Sequence, residues 1–133
     1  MSAGNPKDEY LDASNNARQY QTIRFGQLTV YLAFMGFIAN LLFGDSSTVT
    51  NVVRTMLQVG GLLMTLLFWV HQERTMVYWN HFVNRAAELE VELGFKQYQT
   101  RPPSGIISSF KAMRFFFLIL ALFWLSSFYW FGQ

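Results

Sequence analysis

The chain has no cysteine. A disulfide scaffold, a zinc–thiolate site and an iron–sulfur cluster are therefore excluded. Charge is scarce. Asp, Glu, Lys and Arg together make up 14% of the 133 residues, against ~25% in soluble domains. The formal net charge of +2 is too small to make nucleic acid the default partner, and none is expected. There are two histidines, His71 and His81. They lie on one predicted helix, about 15 Å apart at 1.5 Å per residue, so they cannot ligate one haem from opposite faces. A haem or quinone anchor is the least favoured of the readings below, and no cofactor or metal is expected. No nucleophile stands at a fixed spacing from a base, and Glu88, Glu90 and Glu92 lack a second acid partner. Arg74 and His81 have the Arg-x6-His spacing of HEPN-type ribonucleases, but Thr75 stands where those motifs favour an amide, an acid or a histidine. The chain is not expected to be an enzyme.

What is present is a set of long uncharged runs. Residues 25–43, 55–70 and 115–133 contain no Asp, Glu, Lys or Arg. A bilayer core ~30 Å thick needs about 20 mostly apolar residues as a helix. The expectation is an all-α membrane protein with three transmembrane helices, a hairpin followed by a C-terminal span. Residues 1–24 are polar and lack an early apolar core, so the first span reads as a retained signal anchor. Aromatic residues reach 18%, and Trp69, Trp79, Tyr129 and Trp130 suit interfacial belts, with Trp124 deeper.

The basic residues fall on one side. Lys7, Arg18 and Arg24 precede span 1. Arg74, Arg85, Lys96, Arg101, Lys111 and Arg114 lie between spans 2 and 3. Only Arg54 borders the short loop between spans 1 and 2, and none follows span 3. The positive-inside rule then puts the N-terminus and the 71–114 segment in the cytoplasm and the C-terminus outside. In a bacterium this is the inner membrane.

The chain divides into a flexible tail over 1–9 and one membrane domain over 10–133. Within it we expect an amphipathic helix at 10–24, span 1 at 25–43, span 2 at 52–70, a cytoplasmic helix at 71–94, a connector at 95–112 and span 3 at 113–132. Gly44-Asp45-Ser46-Ser47 signals the hairpin turn, and Arg101-Pro102-Pro103-Ser104-Gly105 breaks the chain. No Gly or Pro interrupts His71 to Leu93, so span 2 should run on as the cytoplasmic helix, with Gly94 as its C-terminal cap.

That extension carries an apolar stripe at helical spacing: Met76, Trp79, Phe82, Ala86, Leu89 and Leu93. Two occupants fit it. Neighbouring extensions could form an oligomer ring, which makes Trp79, Phe82, Ala86, Leu89 and Leu93 candidate oligomer contacts. The N-terminal helix of the same chain could also cover it, through Tyr10, Ala13, Ala17, Tyr20 and Ile23. The two are compatible. A second, polar stripe runs through His81, Arg85, Glu88 and Glu92, and Arg85 can pair with Glu88 three residues on. Within the spans, Asn40, Arg54, Thr55, Gln58, Ser126 and Ser127 are polar. Polar groups in hydrocarbon are costly and face protein or water. Asn40, Arg54 and Gln58 are candidate pore-lining residues. The alternative is interhelical hydrogen bonding, with the serines bonding their own helix carbonyls.

The order of a Tyr-bearing polar helix (Tyr10 to Arg18), a tight membrane hairpin and a juxtamembrane helix is distinctive. That last helix carries Glu73-Arg74, Tyr78-Trp79, Arg85-Ala86-Ala87-Glu88-Leu89-Glu90 and Leu93-Gly94. Over residues 10–100 this resembles the RipA family of small octameric bacterial membrane proteins. It is similar in outline to the accessory membrane pore of some type VI CRISPR systems. The resemblance implies a homo-oligomer of eight subunits and a pore or channel-like assembly. The rival expectation is a structural accessory subunit of a larger complex, with other membrane or cytosolic proteins as partners beside lipid.

Overall fold

The computed structural model describes residues 5–44, 49–100 and 108–131. The described chain is three α-helices, α1 (Pro6–Phe43), α2 (Asn51–Leu93) and α3 (Ser109–Phe131). All three are long and apolar enough to cross a membrane. The chain is an all-α, multi-pass membrane protein.

Each helix starts on a readable cap. The Asn5 side chain accepts the Lys7 N–H at 3.2 Å, and Pro6 occupies the first helical position, where its missing N–H costs nothing. This cap starts α1 at Pro6, within the stretch expected to be tail. Thr50 Oγ1 accepts the Val53 N–H at 3.4 Å ahead of α2. Ser108 Oγ accepts the Lys111 N–H at 3.3 Å ahead of α3. At the other end of α2, Gly94 has φ +73°, and the Phe95 N–H reaches the Glu90 carbonyl at 3.2 Å. This is the six-to-one bond of a left-handed glycine cap, as expected for Gly94. With no Gly or Pro from His71 to Leu93, α2 runs on past the span, for 43 residues in all, about 64 Å, twice the hydrocarbon thickness. Asp45, Ser46 and Ser47 of the expected hairpin turn, and the whole Arg101–Gly105 break, lie outside the described residues.

The contacts sort into two units, 1–26 with 72–106 and 27–71 with 107–133. The second holds the larger apolar core. Tyr31, Met35, Ile38 and Leu42 follow one face of α1 and are buried with Phe117 and Trp124 of α3. Gly61 of α2 makes this possible: a Cβ there would lie 2.6 Å from Trp124 Cε2. A small residue lets the indole lie on the α2 backbone, the usual way membrane helices gain contact area. Gly36 and Gly60 meet nothing within 4 Å. The aromatic rings of this core are layered, with Tyr31 5.1 Å from Phe68 and 5.4 Å from Phe117.

The first unit pairs the polar half of α1 with the second half of α2. Tyr10 and Ala13 pack on Ala86 and Leu89, with Leu93 and Tyr98 beside them. Small Ala13, Ala17 and Ala86 are all buried. Further along, Tyr20 stacks on Tyr78 at 5.6 Å and on Phe82 at 5.5 Å.

Candidate functional site

Two polar constellations stand out. The first is in the apolar unit. Gln58 is buried, and its Nε2 donates to the Ser127 carbonyl at 2.9 Å. A backbone carbonyl has two lone pairs, so this one takes the Gln58 side chain besides its helical donor. Tyr31 and Thr65 hydroxyls meet at 2.9 Å, and Thr65 Oγ1 donates to the Gly61 carbonyl at 2.8 Å. Ser126 and Ser127 donate to the carbonyls of Phe123 and Trp124, at 2.8 and 2.7 Å, so both serines bond within their own helix. These bonds satisfy polar groups that hydrocarbon could not.

The second constellation is centred on Glu90, which has no exposed surface. Its carboxylate accepts the Tyr10 hydroxyl at 3.1 Å. It also accepts the Tyr98 N–H at 2.9 Å and the Gln99 N–H at 3.0 Å. Ser14 and Tyr98 hydroxyls meet at 2.9 Å. Burial, the bond to Glu90 and the Glu90 charge all push the Tyr10 phenol above its ordinary value of 10.0. Glu90 thus fastens the turn after α2 to the N-terminal helix. A buried acid with three donors is a specific, satisfied acceptor. With donors from both α1 and the turn after α2, its arrangement is that of a clamp. On the exposed surface nearby, Arg85 bridges Glu9 at 2.6 Å and Glu88 at 3.0 Å. The Arg85–Glu88 pair was expected from spacing, whereas the Glu9 partner was not. Both are solvated and worth little.

The residues singled out by sequence fall as follows. Asn40 is exposed near the end of α1, Arg54 is half-buried in the first turn of α2, and Gln58 is buried against α3. None of the three lines the groove formed by Val52, Thr55, Met56, Val59, Gly60 and Leu63. Ala86 and Leu89 are buried against Tyr10 and Ala13 of the same chain, and Leu93 packs on that cluster. Phe82 is half-buried on Tyr20, and Trp79 is half-buried. The stripe is therefore covered within the chain by the N-terminal helix, one of its two expected occupants. His71 and His81 are exposed on α2. Among the described residues no group of three or more His, Asp or Glu is placed to hold a metal ion.

Sequence reasoning passed over Glu90 as a clamp. The signal was its phase: it lies four after Ala86 and three before Leu93, on the apolar face, unlike Glu88 and Glu92. Comparison with known proteins adds no relative: no family model, no curated protein and no solved structure matches the chain.

Proposed function

We propose that the chain is a homo-oligomeric protein of the bacterial inner membrane that builds a pore or channel-like assembly, its aqueous path running between protomers. The observation that carries the self-association is a shallow, open, apolar groove along one face of α2, lined by Val52, Thr55, Met56, Val59, Gly60 and Leu63. At Gly60, within this groove, a Cβ would meet nothing within 4 Å. A glycine open on a lipid-facing helix lets a second backbone approach closely. Gly61, its neighbour, does this within the chain for Trp124. The RipA resemblance supports eight copies. Because Gln58 is bonded to α3, the path is assigned to the exposed polar side of the spans, with Asn40 and Thr55 as lining and Arg54 at the outer mouth. The basic residues of 71–114 support a cytoplasmic N-terminus and α2 extension, with the C-terminus periplasmic.

A structural accessory subunit is the second reading. It is favoured by the bonds that occupy Gln58, Thr65 and Ser127 inside the chain and by the apolar surface of the spans. The test is particle mass in mild detergent with liposome flux. Gly60→Leu should shrink the particle and abolish flux while helicity stays. An unchanged particle with no flux from wild type fails the pore reading and leaves the accessory one.

A further inference from the structure

Arg54 and Arg74 bracket the uncharged part of α2. Residues 55–72 contain no Asp, Glu, Lys or Arg, and 20 residues of helix span about 30 Å, the hydrocarbon thickness. Glu73 and Arg74 are the first charges beyond that stretch and so lie at headgroup level. They line a surface cleft of ≈ 280 Å³ together with Val77 and Tyr78. These four positions share one side of the helix, at i, i+1, i+4 and i+5. Arg74 is exposed and Glu73 half-buried. Val77 is 61% and Tyr78 48% exposed. Tyr20, stacked on Tyr78 at 5.6 Å and 17°, fixes the ring without covering it.

The chemistry of this cleft is a cation and an anion at the membrane surface, with an aromatic ring and a small apolar side chain one turn further out. Its volume is just under the ~300 Å³ floor of drug-sized ligand pockets, so it suits a headgroup and not a whole amphiphile. We propose that the cleft binds a zwitterionic phospholipid headgroup carrying a primary ammonium, an ethanolamine-type lipid. The guanidinium of Arg74 donates to the phosphate. The Glu73 carboxylate has two oxygens and about four acceptor positions, enough to take an ammonium N–H besides its contact within the protein. The Tyr78 ring, one turn further from the hydrocarbon, adds cation–π attraction to the ammonium. A site of one sign would select anionic lipid. The acid beside the base is what selects a headgroup with both charges.

The proposal rests on the span assignment and the cleft, and is independent of oligomer number. The full chain is reconstituted in vesicles of equal parts phosphatidylethanolamine, phosphatidylcholine and phosphatidylglycerol, and retained lipids are counted by native mass spectrometry. Wild type should retain the ethanolamine lipid over the choline lipid, which has no N–H, and over the glycerol lipid, which has no ammonium. Arg74→Gln should lower that retention roughly fivefold, the factor for one charge at a membrane surface. Glu73→Gln should turn the preference toward phosphatidylglycerol. Circular dichroism checks that both variants keep wild-type helicity, as expected for substitutions on a helix surface. Equal retention of the three lipids by wild type, a wild-type preference for phosphatidylglycerol, or variants that retain lipid like wild type would each overturn the proposal.

Discussion

Replacing Glu90 by alanine removes one acceptor and strands three donors, the Tyr10 hydroxyl and the N–H groups of Tyr98 and Gln99. A donor left buried without a partner costs about 1–3 kcal/mol. The turn can open and let its two amides find water, so the three losses do not add fully. We expect Glu90→Ala to cost about 3–5 kcal/mol, the lower part of what three such stranded donors would sum to. Glu90→Gln keeps the shape and one acceptor oxygen, and should cost about 1–3 kcal/mol. Amide hydrogen exchange reads this locally. In Glu90→Ala the Tyr98 and Gln99 amides should exchange at least ~100-fold faster, since every 1.4 kcal/mol is tenfold. The Phe95 amide is an internal control, because it bonds the backbone carbonyl of residue 90, which the substitution keeps. If Tyr98 and Gln99 exchange at wild-type rates in Glu90→Ala, the clamp does not hold the turn and the reasoning fails.

Three further outcomes follow from the same geometry. Gly61→Ala should destabilise the spans by about 1–3 kcal/mol, the cost of forcing a methyl into a packed core, because Trp124 occupies the space; thermal unfolding in detergent measures it. The raised Tyr10 phenol contributes stability that is fully present below the unfolded value of 10.0 and is lost as pH rises through the higher folded value. Unfolding followed from pH 9 upward should show that loss in wild type and less of it in Tyr10→Phe. A reporter fused after Gln133 should read as periplasmic and one inserted at Gly105 as cytoplasmic; a cytoplasmic C-terminus contradicts the assigned orientation.

Much of the fold was legible because helices advertise themselves locally. Charge-free runs marked the spans, the Gly- and Pro-free stretch from His71 marked the continuity of α2, and Gly94 marked its end. The three-and-four spacing put Met76, Ala86 and Leu89 on one face, and all three are buried. The onset of α1 lies earlier than the polar composition of 1–9 suggests, because Asn5-Pro6 is a cap and a first helical position. Pairings between helices were not legible. Gln58 and Ser127 stand 69 residues apart, and only the register of α2 against α3 brings them together. A polar residue in a span therefore announces that it needs a partner without saying whether that partner is protein or water. Gln58 found protein. Glu90 was hidden for a related reason: three acids in alternate positions look alike until the phase of the buried face separates the middle one.

The central claim is that the chain assembles with itself in the membrane. Native mass spectrometry of the protein, purified alone and released from lipid nanodiscs, counts its copies directly. The account predicts one dominant species at a whole-number multiple of the chain mass, with eight copies implied by the resemblance. A single copy per disc over the full range of loading ratios would contradict it.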